Sequence, residues 1–521
     1  MPRDEHFEIE PKQLRLRPSL RMPRNSILLT DCKACKSKPE ALVGYKVLDV
    51  PISAAKLAAA VPAIVFSWPF PQLIRGSAVT LLCTSTNVYL VDESNWTITT
   101  ITTYDYYNPA ISQAIVAGGY WHFADFFNTW FLYNGSCSVM KFGDDIKYYT
   151  QDEVTIKSGC AMRGRLILYG FNASDYWSNT WDTILTSLMT SEEPPHSSLP
   201  TTMTDVGPNW LWYSTIGGGD IKFIHNPTLA QVGSLGLTDG HTATNPLFLD
   251  YLKRNECGLI PTRAQDSGLV IKPLGTLLIA FGFDAISVYQ QFSEPVPSFG
   301  LLRTFPYGIA SRGAVGGNED AGYIFVDDRA YLRSVDREGN ISKLDYQEFM
   351  DGMTLANIVV SYDPAEGEFF ISDGISTFVY VLDSQGLTKA PEAVTGIVTA
   401  EGNTYAMTKA YTDDDFLLVT DTFDMGVRGL KQIKGIEVGG SPDTTLEAAF
   451  DYRNDGSASF TRTAYRNCNS MGWVEMNLTA VEFRLVLRVS TRTGNEKIDY
   501  IKVKWQPIDF RSTRYSVRAG G

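Results

Sequence analysis

Short runs of alternating apolar and polar residues, each cut by Gly, Asn or Asp, recur along most of this 521-residue chain. Alternation sends successive side chains to opposite faces, which is the pattern of a strand, and the residues between the runs have turn chemistry. Thr80 to Ser85 turns at Thr86-Asn87 into Val88 to Val91. Trp130 to Tyr133 meets the hairpin pair Asn134-Gly135 and returns as Cys137 to Phe142. Gly275 to Gly282 turns at Phe283-Asp284 into Ala285 to Phe292, and Gly322 to Val326 turns at Asp327-Asp328 into Ala330 to Arg333. Val359 to Asp363, Glu368 to Ser372 and Phe378 to Asp383 continue the rhythm, and Thr404 to Met407 with Asp415 to Thr420 make its last unit. Helical periodicity is confined to Ile52–Val61, a short helix that Pro62 ends.

Units of three or four short strands recurring about every 40–50 residues are the mark of a β-propeller, because one small sheet cannot bury both its faces alone. About six or seven such units fit between residues 75 and 428. They share no sequence signature. Trp181-Asp182 is the one Trp-Asp pair, and the nearest approach to an aspartate box, Asp205 to Trp210, has Met203 where Ser or Thr belongs. After Gly429 longer alternating runs read as an antiparallel sandwich. The fold class is therefore all-β: a propeller with divergent blades plus a C-terminal antiparallel β-sandwich. The predicted divisions are an extended N-terminal arm over 1–46, the propeller over 47–429 with an insertion near 189–208, and the sandwich with a basic tail over 430–521.

At 44% hydrophobic residues the chain has enough apolar matter for a large core. No apolar run reaches the roughly 18 residues of a membrane helix, and the N-terminus lacks an apolar signal region, so neither membrane insertion nor secretion is expected. Net charge is −13 and unevenly spread. Residues 1–46 hold 10 basic and 6 acidic groups and residues 430–521 hold 14 and 10, leaving the middle with 21 basic against 42 acidic. A body this acidic does not grip nucleic acid, whose affinity comes from Lys and Arg neutralising phosphates, although it could surround DNA without holding it. The same surplus also serves solubility.

Chemistry-bearing motifs are scarce. Phosphate-loop, nucleophile-elbow and HExxH patterns do not occur, and five histidines disfavour a histidine-rich centre. Cys32 and Cys35 form a lone CxxC with no second pair for zinc. Seven widely spaced cysteines argue against a disulfide framework. Asp451 to Arg462 faintly follows a calcium loop, with Arg453 and Arg462 where ligands belong. No cofactor, metal or catalytic residue is therefore expected. Asp413-Asp414-Asp415 reads as a solvated turn, a cation site or an acidic lining. The dense aromatics Tyr120 to Phe123, Phe126-Phe127, Trp130-Phe131, Tyr176-Trp177, Trp181 and Trp210 to Tyr213 suit a core, a subunit interface or a sugar site.

Three stretches together resemble the tail nozzle, or tail hub, proteins of short-tailed bacteriophages. Arg21 to Asp31 with Val43-Gly-Tyr45 is similar to the opening of that family. Gly275 to Tyr289, Phe299-Gly300, Gly308 to Arg312 and Gly322 to Asp327 resemble its blades. Ala480 to Leu485, Ile498 to Lys502 and Trp505 to Arg511 resemble its closing domain. The resemblance implies a non-enzymatic virion protein, made in the host cytoplasm and built into the tail. Its partners would be copies of itself in a hexameric ring, the tail adaptor and other tail proteins, and DNA crossing a central channel without specific binding. The basic arm residues Arg15, Arg17, Arg21 and Arg24 would dock on the adaptor, and Asp413, Asp414 and Asp415 would line the channel. The competing expectation is a propeller that binds or hydrolyses polysaccharide.

Overall fold

The computed structural model describes residues 5–9, 29–30, 32–37, 42–47, 72–75, 80–92, 97–105, 110–126, 129–136, 138–142, 147–151, 154–173, 208–214, 216, 258–265, 267–292, 299–344, 346–364, 367–390, 394–400, 403–408, 416–427, 429–440, 446–489 and 497–508. The helix expected at 52–61 and the stretch 189–207 of the expected insertion lie outside these residues. The described chain is a β-propeller followed by a β-sandwich.

Six consecutive antiparallel sheets make the first six blades. Blade 1 is Gln72–Arg75, Thr80–Cys83, Val88–Asp92 and Thr97–Thr100. Blade 2 is His122–Phe126, Thr129–Tyr133, Ser138–Phe142 and Lys147–Gln151, with Thr103–Asp105 added parallel to its last strand. Blade 3 is Val154–Met162, Arg165–Ala173, Trp210–Tyr213 and Gly258–Pro261. Blade 4 is Gly268–Leu274, Leu277–Gly282, Ile286–Gln291 and Phe299–Phe305. Blade 5 is Val315–Asn318, Gly322–Val326, Leu332–Val335 and Ile341–Lys343. Blade 6 is Val359–Asp363, Glu368–Ser372, Thr377–Val381 and Gly386–Lys389. Blade 7 shows two strands, Val394–Ala400 and Asn403–Thr408. The first strands of blades 2, 3 and 4 pack side by side, as do those of blades 5, 6 and 7, and Val394–Ala400 lies between Val359–Asp363 of blade 6 and Gln72–Arg75 of blade 1, which closes the ring.

Blade-on-blade packing explains the sequence of the second strands. A strand with a neighbouring sheet on each side has no solvent face, so its apolar run becomes continuous. Every residue of Leu277–Gly282 is buried, as is every residue of Gly322–Val326. Phe281 of blade 4 meets Phe325 of blade 5 edge to face, with ring centroids 5.4 Å apart.

The blades do share a device that residue identity conceals. The residue just after the second strand is Thr84, Asn134, Asp327 and Asp373 in blades 1, 2, 5 and 6, and each side-chain oxygen accepts from the turn that follows. Blade 4 places Asp284 one position later. Several of these groups also tie down the linker that enters the blade. Asn134 Nδ2 donates to the Val116 carbonyl at 2.9 Å, Asp284 accepts the Gln265 amide at 3.1 Å, and Asp373 accepts the Thr354 amide at 3.0 Å. In blade 5 Asp327 is fully buried and its second oxygen takes Arg333 Nε at 2.6 Å.

The sandwich departs from its expected boundaries. Its first sheet is Lys431–Gly440, Trp473–Ala480 and Lys497–Pro507, joined by Cys32–Ser37 and Leu42–Val47. Glu5–Ile9 also pairs with it, antiparallel to Lys497–Pro507 from Glu5 opposite Trp505 to Ile9 opposite Ile501. The region expected as an extended arm therefore supplies four strands, because open strand edges of the C-terminal sheets are satisfied by N-terminal backbone. Phe416–Val419, expected in the last propeller unit, pairs instead with Glu482–Val489 of the second sheet. That sheet also holds Leu446–Arg453 with the short strands Thr461–Arg462 and Arg466–Asn467. The strand Leu29–Thr30 bridges Phe416–Val419 to Gly386–Lys389, so one ten-stranded sheet runs from blade 6 into the sandwich. Between the two sandwich sheets lies a core that includes Ile436, Phe450, Val474, Phe483, Leu485 and Ile501.

Candidate functional site

The linkers that enter the blades and the turns after the second strands gather at one end of the propeller, and there they border an open cavity of about 460 Å³. Its wall comes from blade 2's entry (Gly119, Tyr120), the blade 4–5 linker (Ala310 to Gly313), the segment Ala356 to Val359, Leu269 and the turn residue Phe283. The linkers approach closely at Gly313, where an added Cβ would stand 3.0 Å from the Tyr120 ring and 2.9 Å from Val359.

Arg312 crosses from the blade 4–5 linker to the opposite blades. Its Nη1 donates to the Asn134 carbonyl at 2.5 Å, and its Nη2 donates to the Lys157 carbonyl and to that of Tyr133 at 3.4 Å. Gly135, at φ +84°, permits this: an added Cβ would lie 2.6 Å from Nη1. Burial pulls the guanidinium down to about 9, against a smaller opposing pull from Tyr120, so it stays charged at neutral pH. Its Nε is buried without a partner.

Tyr120 and His122 stand beside it with ring centroids 5.4 Å apart. Burial holds the Tyr120 phenol above its ordinary value despite a hydrogen bond from Gln72 and the nearby Arg312 charge. His122 hydrogen-bonds the Arg312 backbone, and its Nε2 is buried and unpartnered. Burial, then the charges of Arg312 and Lys272, hold its imidazole well below the ordinary value, so it is neutral. Gln72 of blade 1 anchors blade 2's entry by accepting the Trp121 amide at 2.6 Å and donating to the Trp121 carbonyl at 3.2 Å. The arrangement can bind and orient. It presents no nucleophile next to a base, and among the described residues no three His, Cys, Asp or Glu side chains gather as a metal would require.

The residues singled out in the sequence fall elsewhere. Arg15, Arg17, Arg21, Arg24, Asp413, Asp414 and Asp415 lie outside the described residues, as do Tyr176, Trp177, Trp181, Met203, Asp205 to Gly207 and the tail from Arg511. Trp121, Trp130, Phe131, Trp212 and Tyr213 are core, and Trp121 Nε1 donates to the Thr84 carbonyl at 2.7 Å to join blades 1 and 2. Cys32 and Cys35 fall within one strand, not in the strand–turn–helix of a redox pair. Cys83 and Cys160 are separate buried thiols; burial raises both, Cys160 to about 12. Both Asp451 oxygens are held by Arg462, at 2.6 and 2.9 Å, which takes up the carboxylate a calcium loop would need. Arg312 closes the Gly308 to Arg312 stretch of the blade resemblance, but no chemical motif singled it out. Its sequence signal is one arginine between Ser311 and Gly313, in a linker otherwise free of charge.

No family model matches the chain, and no curated protein does. Among solved structures, it is similar to the extracellular domain of a putative one-component system from B. thetaiotaomicron. That match has 6% identity over 87% of this chain and a TM-score of 0.39. The chain spans about 60% of that domain's length. The WD40 domain of Neurospora crassa Pan2 matches at 8% identity over 65% of this chain and 85% of its own, with a TM-score of 0.34. An exo-beta-1,3-galactanase from Phanerochaete chrysosporium matches at 8% identity over 81% of this chain and 99% of its own, with a TM-score of 0.29.

Proposed function

We propose that this propeller-type protein is a structural, non-enzymatic component of a virion tail, with the role of the nozzle in short-tailed phages. The observation that supports the reading is the ten-stranded sheet shared by blade 6 and the sandwich. Domains that move independently are joined by linkers, whereas a shared sheet with N-terminal strands woven through it transmits force as one body. Copies would form a ring beneath the portal and adaptor, with DNA passing a repelling acidic lining in which Asp413, Asp414 and Asp415 take part. Arg15, Arg17, Arg21 and Arg24 would dock on the adaptor. Electron microscopy of the purified chain, alone and with an adaptor ring, tests this: six-fold rings are expected, and a chain that stays monomeric with the adaptor ends the reading. Charge reversal at the four arginines is the sharper test of docking, because deleting residues 1–24 would also remove the strand Glu5–Ile9.

The cavity favours a second reading, a propeller that binds polysaccharide, since the Tyr120 and Phe283 rings border a cleft of small-molecule size. A glycan array and a hydrolase screen separate the two. The nozzle reading expects neither binding nor turnover.

A further inference from the structure

The cavity carries an inference that does not depend on the tail reading. Arg312 is a half-buried cation whose described partners are the carbonyls of Tyr133, Asn134 and Lys157; no carboxylate of the described residues pairs with it. Carbonyl dipoles satisfy N–H groups but do not cancel a charge. The cavity wall itself carries one charged side chain, Arg312, and no carboxylate. The rest of the wall is chiefly apolar, and Phe283 stands at it half-exposed. A volume of about 460 Å³ lies within the roughly 300–1,000 Å³ of small-molecule sites.

We propose that this cavity binds a small organic anion, a single carboxylate on a ring-shaped or apolar body, with its charge toward Arg312 and its body against Phe283 and Leu269. A neutral molecule of the same shape gains only the apolar part of this interaction. A small inorganic anion gains only the charge.

Sodium benzoate is the probe, with benzamide as the neutral match, added to the full chain at constant ionic strength and followed by thermal melting and calorimetric titration. Benzoate is expected to raise the melting temperature saturably and bind at one site per chain, with benzamide at least about tenfold weaker. Ala356→Trp, made at an exposed position on the cavity wall, is expected to abolish the benzoate shift while leaving the unliganded melting temperature in place. Arg312→Gln is expected to erase the preference for the anion. Because Arg312 also ties blades together, Arg312→Lys, which keeps the charge while losing the same guanidinium ties, is read alongside it and should retain most of the preference. Equal shifts from the two probes, no shift from either, or a benzoate shift that survives Ala356→Trp overturns the proposal.

Discussion

At the scale of single residues, the molecule depends on polar groups that hold backbone rather than perform chemistry. Asp373 is buried and accepts the amides of Thr354, Ile375 and Ser376. Removing it strands those donors at once, so Asp373→Ala is expected to cost about 3 kcal/mol in urea unfolding, while Asp373→Asn, which keeps acceptor oxygen, costs less than half of that. His122 makes a prediction about pH. Its folded value lies well below the ordinary value of 6.5, chiefly through burial. Below pH 6.5 the unfolded chain therefore takes up a proton that the folded chain refuses, and stability falls as the pH drops. His122→Gln should flatten that acid limb in melting curves recorded from pH 7 to 5. An unchanged slope would show that the imidazole protonates in the folded state. The recurring turn residues also show why the repeat was hard to read. Thr84, Asn134, Asp327 and Asp373 offer the same acceptor at the same place with three different side chains, so chemistry is conserved around the ring where identity is not.

At the scale of elements, strand positions followed from alternation and strand partners did not. Asn134-Gly135 turns where its chemistry demands, and Gly275 to Phe292 forms the expected hairpin. Phe416–Val419 has the same alternation as a blade strand, yet it pairs with Glu482–Val489, because alternation specifies a face and says nothing about whose edge is free. The same holds for Glu5–Ile9, whose Phe7 ring stacks on Phe423 at 5.4 Å between centroids. Phe7→Ala is expected to destabilise the sandwich by about 2 kcal/mol, less than the roughly 3–5 kcal/mol of a fully buried Phe. Hydrogen exchange should show the loss at Ile501 to Trp505, opposite this strand. Protection there that is indifferent to the substitution would mean the N-terminal strand adds no stability.

At the scale of the whole molecule, the sheet shared by blade 6 and the sandwich makes the two parts mechanically one. Calorimetry should therefore give a single unfolding transition in which the sandwich and the propeller melt together. Two separated transitions, one of them surviving in an isolated fragment from residue 430 onward, would show that the bridge through Leu29–Thr30 is weak. The fragment itself should fail to fold, because it lacks Phe416–Val419 and the N-terminal strands that complete its sheets.

Local chemistry determined what can be read in order along the chain: strand after strand, turns at Asn and Asp, the repeating unit, the change of texture after Gly429. These follow from interactions between near neighbours, which sequence spacing encodes directly. Tertiary structure alone decided that the ring closes with Val394–Ala400 beside Gln72–Arg75, that the first residues finish the last sheets, and that Arg312 reaches carbonyls more than a hundred residues away. Those outcomes depend on which edges and which buried carbonyls remain unsatisfied once all the sheets have formed, a condition that exists only in the assembled molecule.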